Sequence, residues 1–339
     1  MTVEERDAIL TAALHAVSNQ WDSAGYRFAA APGATMATVW RGYRANALPE
    51  VALRLTPKPE PLVRRIAALV DSVTDVECPE TSAVATMEHE GRTWTVQVCT
   101  WLGKGGASRG DLISLGQSIA RLHQAFARLA GDHDFTDREL SFERAPVDPS
   151  DFGRPSWHVA RRLWRDRVDL LLQSNSTLPR QPIHGDMHWG NVVTSSDGGF
   201  GFIDFDKIMN APPVFDLAKL LTTGCFHIHG NEPVARFDKG RAADLLHGYQ
   251  QVRRLSAIET AALEGFALLL NEETARLGII YGNPDYTHQA AVVGSWWVSR
   301  RGQTTDPLGL RASTGPARHK AEQLDLFRSS CPVPRDFQP

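Results

Sequence analysis

The feature that most constrains the fold is a change of pattern about a third of the way along the chain. Short runs rich in β-branched and aromatic residues fill the first hundred positions and alternate with turn-forming residues, which is typical of strands. After that point apolar residues such as Leu115, Ile119 and Leu122 recur at the spacing of an amphipathic helix. The sequence therefore predicts an α+β protein, with a strand-rich part followed by a mostly helical part.

The strand-rich part is expected to form one sheet. Helices are predicted over 4–18 and 62–73, because apolar residues fall on one face of each. Predicted strands cover 26–31, 38–43, 51–55, 83–87 and 93–101. Since short turns separate most neighbouring strands, we expect a mostly antiparallel sheet with one helix inserted.

A glycine-rich stretch marks the predicted domain boundary. It reads Gly103-Lys-Gly-Gly106 and divides the chain into residues 1–103 and 104–339. Beyond it we predict the following elements: helices over 112–129 and 159–173, a hairpin of 191–194 with 200–205, and further helices from 215 to about 299. The Asp-, Pro- and Arg-rich stretch 131–156 is expected to be an irregular surface insertion.

Composition excludes several classes of protein. Apolar residues make up 42% and charged residues 22%, as in globular proteins, and the net charge of −3 offers no basic field for nucleic acid or an anionic membrane. The four cysteines form no CxxC pair, and the first residues carry acids rather than the bases of a signal peptide. We therefore expect a cytoplasmic protein, monomeric or homodimeric, with neither nucleic-acid nor membrane partners.

The strongest chemical signal is the segment 183–193, Ile-His-Gly-Asp-Met-His-Trp-Gly-Asn-Val-Val, with Asp204 on the far arm of the predicted hairpin. Phosphoryl transfer needs an oriented acceptor hydroxyl and metal ions that bridge the nucleotide phosphates. A loop carboxylate such as Asp186 can accept the hydroxyl's hydrogen bond. The amide oxygen of Asn191 and the carboxylate of Asp204 are ligands that suit Mg²⁺.

This pattern resembles the aminoglycoside phosphotransferase and choline kinase family, whose motif is His-Gly-Asp-x-His-x-x-Asn with a later Ile-Asp. The resemblance covers roughly residues 25 to 300. It implies a bilobal protein-kinase-like fold with a small antiparallel N-lobe and a larger helical C-lobe. It also implies ATP or GTP as co-substrate, Asp186 as catalytic base or hydroxyl-orienting group, and Asn191 and Asp204 as Mg²⁺ ligands.

Two further segments resemble the family's nucleotide site. The turn beginning Gly33-Ala-Thr35 resembles the phosphate-covering turn between the first two strands, where backbone N–H groups approach phosphate oxygens. Residues Thr100, Trp101 and Leu102 lie in a segment that looks like the hinge strand. We expect these five residues to contact the nucleotide.

The third predicted strand departs from the family pattern. Val51-Ala-Leu-Arg54 stands where the related sequence Val-Ala-Ile-Lys carries a phosphate-binding lysine that pairs with a helix glutamate. Arginine keeps the charge but presents a planar, forked head. We expect Arg54 to bind phosphate and Glu60, at the start of the next helix, to be its partner.

Other residues of the motif have competing interpretations. His184 and His188 are expected to brace the loop rather than react, and Asp216 to act as a helix N-cap and loop brace. Trp189 is expected to pack against a neighbouring helix. Asp206 could be an extra metal ligand, or it could equally pair with Lys207 or with arginine side chains at the surface.

The sequence leads to one main functional hypothesis and three alternatives. The chain is expected to phosphorylate a hydroxyl of a small molecule, with an antibiotic as the expected acceptor and resistance as its role. A metabolite kinase of the choline, homoserine or amino-sugar type is the first alternative. The alternating His-x-Asp-x-His of 184–188 leaves a zinc hydrolase open, and Arg54 leaves open a nucleotide-binding regulator without activity.

Overall fold

A computed structural model describes most of the chain between residues 3 and 308. The described ranges are 3–31, 38–44, 48–103, 111–129, 135, 156–194, 199–228, 233–301 and 308. Gly33 and Thr35, which we expected to touch the nucleotide, lie outside these residues, as does most of the stretch 131–156.

The first part of the chain folds into a five-stranded antiparallel sheet. Its strands are β1 (Tyr26–Ala30), β2 (Thr38–Arg44), β3 (Val51–Thr56), β4 (Thr81–His89) and β5 (Arg92–Thr100), arranged in the order β1-β2-β3-β5-β4. The helix α2 (Glu60–Asp71) connects β3 to β4, so β3 pairs with β5 rather than with the next strand along the chain. The prediction of an antiparallel sheet with one inserted helix is confirmed.

The first two helices belong to different cores. The helix α1 (Val3–Val17) contacts β4 and β5, and its Ala13 and Val17 pack with buried sheet residues such as Trp40 and Leu53. The apolar face of α2 instead joins the larger core of the helical part. The sheet and the helical part therefore meet across α2. The division at residue 103 stays a prediction.

The remaining described chain is mostly helical. Its helices are α3 (Leu112–Leu129), α4 (Ser156–Leu163), α5 (Arg165–Ser174), α6 (Val214–Gly224), α7 (Lys239–Val252), α8 (Ala257–Ile280) and α9 (Pro284–Arg300). The α+β, bilobal expectation is confirmed. None of the helices in the described part of the chain combines the length and apolar character needed to cross a membrane.

One predicted helix was wrong in detail. The stretch 159–173 was expected to be a single helix, but the backbone leaves the helical conformation at Trp164, with φ −105° and ψ 29°. The Trp164 ring is buried there, and its Nε1–H donates to the backbone oxygen of Trp297 at 2.9 Å. Burial of this one large side chain, a tertiary effect, overrides the local helical pattern.

Short strands flank the motif segment of residues 184–191. They are β6 (Gln181–Ile183), β7 (Val192–Thr194), β8 (Phe200–Phe202) and β9 (Met209–Ala211), followed by the two-residue pair β10 (Phe226–His227) and β11 (Arg236–Phe237). β6 pairs with β9, and β7 pairs with β8. The loop between β6 and β7 is thus held at both ends by strands from later in the chain.

Candidate active site

Two strand pairs bring the motif of residues 184–191 beside Asp204. Ile183 pairs with Met209, and Val192 pairs with Phe202. The N–H of Ile203 then donates to the backbone oxygen of Asn191 at 3.0 Å. The loop and the segment after β8 therefore run side by side, as the predicted hairpin requires.

Gly185 permits the close approach of these two segments. Its φ is +76°, in the left-handed region that side chains disfavour. A Cβ built at this position would collide with the backbone oxygen of Lys207 and with the Met209 side chain. Glycine is therefore required here by both conformation and space, and the backbone of Lys207 lies directly against the loop.

Asp216, the third residue of α6, holds the backbone of the loop between β6 and β7 by hydrogen bonds. Its fully buried carboxylate accepts hydrogen bonds from the N–H groups of His184 and Gly185, both at 2.9 Å, and lies 3.2 Å from Nε2 of His123. The loop brace is as expected, but the helix has no side-chain cap at its N-terminus, where Pro213 stands. Asp216 therefore serves the loop, not its own helix.

The two motif histidines are engaged in structural hydrogen bonds. The Nδ1 atom of His184 accepts from the N–H of Asp186 at 3.2 Å, so its Nε2 carries the proton donated to the backbone oxygen of Ile203 at 2.9 Å. His188 caps the 3₁₀ turn that follows, because its Nδ1 accepts from the N–H of Gly190 at 3.0 Å. Burial lowers the pKa of His188 below its ordinary value, which favours the neutral ring.

Asp186 is held between two lysines. Lys219, on the turn of α6 after Asp216, contacts Oδ1, and Nζ of Lys207 lies 2.7 Å from Oδ2. Burial by itself would raise the pKa of this carboxyl, but Lys219 and Lys207 together hold it well below its usual range. The carboxylate is therefore ionised, and each of its two oxygens already has a cationic partner.

Asn191 and Asp204 offer oxygen atoms of the kind that Mg²⁺ takes. The Nδ2 of Asn191 donates to the backbone oxygen of Asp186 at 3.0 Å. This hydrogen bond uses the amide nitrogen and leaves the amide oxygen for a metal ion. Asp204 has a φ of +63°, which is uncommon for a residue with a side chain and often found at functional sites. Its carboxylate is 47% exposed and thus open to a ligand. A carboxylate and an amide oxygen, completed by phosphate oxygens and water, suit Mg²⁺.

Arg54 faces two aspartates rather than a glutamate. Its Nη2 lies 3.1 Å from Oδ1 of Asp204 and 2.8 Å from Oδ2 of Asp206. Burial would lower the pKa of the guanidinium, but Asp206 and then Asp204 raise it, and the net shift is upward. Asp206 is thus paired with Arg54. The Nζ of Lys58 adds a second positive charge by donating to the backbone oxygen of Asp206.

The expected pair between Arg54 and Glu60 is absent, and this interpretation was wrong. Glu60 accepts from Nε of Arg64 at 2.7 Å and from the hydroxyl of Thr86. The physical reason is proximity: Arg64 lies four residues along α2 and one turn away, where opposite charges pair readily. The segment 204–206 supplies the acids that Arg54 requires.

The predicted hinge residues lie at the end of β5. The N–H of Thr100 donates to the backbone oxygen of Glu80 at 2.9 Å, and the N–H of Trp101 donates to that of Glu50 at 2.8 Å. Their amide donors are therefore used within the protein, so a base bound here would have to use other groups, such as those of Leu102. Contact of these residues with a nucleotide stays a prediction.

The expected role of Trp189 agrees with its surroundings. Its ring packs at the edge of the large core, near Gly224, and the guanidinium of Arg241 lies 5.6 Å from the ring centroid.

The geometry does not favour the zinc alternative. Both ring nitrogens of His184 already have hydrogen-bonding partners, and so does Nδ1 of His188. Within the part of the chain that the structure describes, no group of three or more His, Cys, Asp or Glu side chains is placed to hold a metal.

Sequence reasoning missed Lys58 and Lys219, and it considered Lys207 only as a possible partner of Asp206. Each of them contacts an aspartate of the motif or its backbone. A signal existed for two of them: Lys207 directly follows the segment 204–206, and Lys219 lies one helical turn after Asp216. Only the fold shows that both turn towards Asp186.

A model of the phosphotransferase enzyme family, APH, matches residues 29–255, more than half of the chain. In sequence, the chain is 28% identical over 185 residues to the homoserine kinase of Beijerinckia indica subsp. indica, in an alignment covering 49% of this chain and 51% of that protein. The chain thus spans about half the length of this curated relative.

Solved structures share the fold. The amicoumacin kinase hAmiN, in complex with AMP-PNP, Ca²⁺ and Ami, superposes with a TM-score of 0.62 at 15% identity, covering 88% of this chain and 96% of that one. The choline kinase of Cryptosporidium parvum Iowa II superposes with a TM-score of 0.61 at 11% identity, covering 90% of this chain and 97% of that one. At these identities the likeness is one of fold.

Proposed function

Because the chain belongs to the phosphotransferase enzyme family, we propose that it transfers the γ-phosphoryl group of ATP or GTP to a hydroxyl of a small molecule. The observation that carries the proposal is the arrangement of Asp186, Asn191 and Asp204. Strand pairing brings the loop with Asp186 and Asn191 alongside Asp204, with Arg54 in contact with Asp204. An acceptor-orienting carboxylate next to oxygen ligands and a cation is what phosphoryl transfer requires.

Asn191 and Asp204 are the residues that would hold Mg²⁺. When bound, the metal would neutralise charge on the nucleotide phosphates. Arg54 and Lys58 add positive charge on the same side of the site, through their contacts with the segment 204–206. These residues together form a cationic and oxygen-lined pole for the nucleotide.

Asp186 would orient the acceptor. An oxygen–phosphorus bond forms from the acceptor hydroxyl as the bridging bond to the γ-phosphorus breaks, and the nucleoside diphosphate leaves. The two lysines make Asp186 a weak base, since its pKa lies well below the usual range. It therefore accepts the proton only once bonding to phosphorus has made the hydroxyl acidic, and then releases it to solvent.

For the acceptor we propose a small hydroxylated metabolite of the homoserine type. The sequence similarity to a homoserine kinase supports it. Lys207 and Lys219 also place positive charge where the acceptor hydroxyl would bind, which disfavours a polycation such as an aminoglycoside. An antibiotic acceptor is the second candidate, supported by the fold shared with an amicoumacin kinase.

A turnover assay tests the proposal. Purified protein with Mg²⁺ and ATP or GTP would be screened against homoserine, choline, amino sugars and antibiotics, with release of the nucleoside diphosphate as the signal. Asp186→Asn and Asp204→Asn should remove the activity, whereas Asp285→Asn, at an exposed position on α9, should retain it. Equal rates in all four proteins would refute the assigned roles.

The same preparation separates the remaining alternatives. Stoichiometric zinc in protein purified without added metal would favour the hydrolase. Tight nucleotide binding with no turnover of any acceptor would favour the inactive regulator. Purified protein that binds no nucleotide would overturn the proposed function altogether.

A further inference from the structure

Lys207 lies between the two halves of the proposed site: the nucleotide pole, formed by Arg54, Lys58 and the segment 204–206, and the acceptor pole at Asp186. Its Nζ lies 2.7 Å from Oδ2 of Asp186, the group proposed to orient the acceptor. Its backbone directly follows Asp206, which with Asp204 contacts Arg54 at the nucleotide pole. The transferring phosphoryl group must pass from one pole to the other, and the Lys207 side chain extends between them.

The position of Lys207 is built into the fold. The positive φ and missing side chain of Gly185 make room for the backbone oxygen of Lys207 beside the loop. Pairing of β6 with β9 secures the segment from the other side. The backbone is therefore fixed while the side chain is 48% exposed, so the ammonium group can change partners without a change of fold.

Lys219 differs from Lys207 in the exposure of its side chain and in the oxygen of Asp186 that it contacts. It projects from α6, its side chain is only 21% exposed, and it contacts the other oxygen of Asp186. It lies one turn after Asp216, which holds the loop backbone. Lys219 is therefore placed to stay on Asp186, whereas Lys207 is placed to leave it.

We propose that Lys207 is a catalytic residue that moves from Asp186 to the γ-phosphoryl group when nucleotide binds and stabilises its charge during transfer. The inference rests on the proposed function. The movement frees Oδ2 of Asp186 for the acceptor hydroxyl, while Lys219 keeps Oδ1. The bond from the acceptor oxygen to phosphorus then forms as the β,γ-bridging bond breaks. The hydroxyl proton passes through Asp186 to solvent, and Lys207 stays an ammonium throughout.

Nucleotide binding tests this without knowledge of the acceptor. Calorimetric titrations with Mg–AMP-PNP and with Mg–ADP would compare the wild type with Lys207→Met, Lys207→Arg and the control Lys239→Met, at an exposed position on α7. Since only the triphosphate analogue offers a γ-phosphoryl group, Lys207→Met should weaken its binding by roughly 10- to 100-fold. Binding of Mg–ADP should change by less than about threefold, and Lys207→Arg should recover most of the loss.

The outcomes separate this inference from the proposed function. Equal weakening of both nucleotides by Lys207→Met, or weakening of neither, would overturn the role of Lys207 and leave the kinase proposal standing. Lack of nucleotide binding by the wild type would overturn both. Circular dichroism of Lys207→Met guards against a folding defect as the cause of weaker binding. Recovery by Lys207→Arg, which keeps the charge and nearly the size of the side chain, attributes the loss to the missing charge.

Discussion

Removal of the Asp216 carboxylate should destabilise the whole protein. Asp216 is fully buried and holds three donors: the N–H groups of His184 and Gly185 and the Nε2 of His123. In Asp216→Ala each donor stays buried and loses its acceptor, at about 1 to 3 kcal/mol per group before relaxation. Because neighbouring losses do not add fully, we expect the free energy of unfolding to fall by about 3 to 5 kcal/mol.

Urea unfolding followed by tryptophan fluorescence measures this loss, since the chain has nine tryptophans. Asp216→Asn should lose less, about 2 kcal/mol, because the amide keeps one acceptor oxygen. A loss remains, since the amide NH₂ group faces donors that the second carboxylate oxygen accepted from. The control Asp285→Ala, in the exposed first turn of α9, should lose under about 1 kcal/mol. A loss below about 1 kcal/mol in Asp216→Ala, with an unchanged denaturant slope, would refute the brace.

Three further predictions concern the rest of the site and the core. Arg54→Met should weaken Mg–ADP binding by roughly 10- to 100-fold and Arg54→Lys much less, by calorimetry; equal losses would contradict a role based on charge. Gly185→Ala should lower the free energy of unfolding by at least about 2 kcal/mol in urea titrations, since its Cβ would meet a backbone oxygen at positive φ. Burial raises the pKa of Cys99 to about 11 and the pKa of Cys225 to about 12. Neither thiol should therefore react with a disulfide reagent at pH 8 until urea unfolds the protein. The assay uses the variant Cys331→Ser, so that Cys331 does not contribute to the signal.

The pattern of the sequence was enough for the fold class and for most elements. The predicted helix 112–129 coincides with α3, and all five strands of the sheet occur where alternation and turn residues predicted them. Local information suffices there, because strand and helix periods are repeated over many residues. It failed at Trp164, where the ring is buried against Trp297 and the helix that the local pattern predicts is interrupted before it resumes at Arg165.

The sequence motif also identified the side chains proposed to take part in the chemistry. Asp186, Asn191 and Asp204 could be assigned in advance from their order and spacing and from the family motif that they match, and their roles stay predictions for the assays above. The brace by Asp216 was foreseen in outline. Its partners His184 and Gly185 lie about 30 positions earlier, and only the packing of α6 beneath the loop identifies them.

The charges around the site were decided by tertiary structure. Arg54 lies 150 residues from Asp204, and α2 and the sheet have to pack on the helical part before the two can meet. The lysines at 207 and 219 become partners of Asp186 in the same way. Lone charged residues have no period in a sequence, and each lysine has many possible acids within its reach. The amino-acid sequence thus determined which groups could carry the proposed reaction, and the packed fold decided which cations surround them.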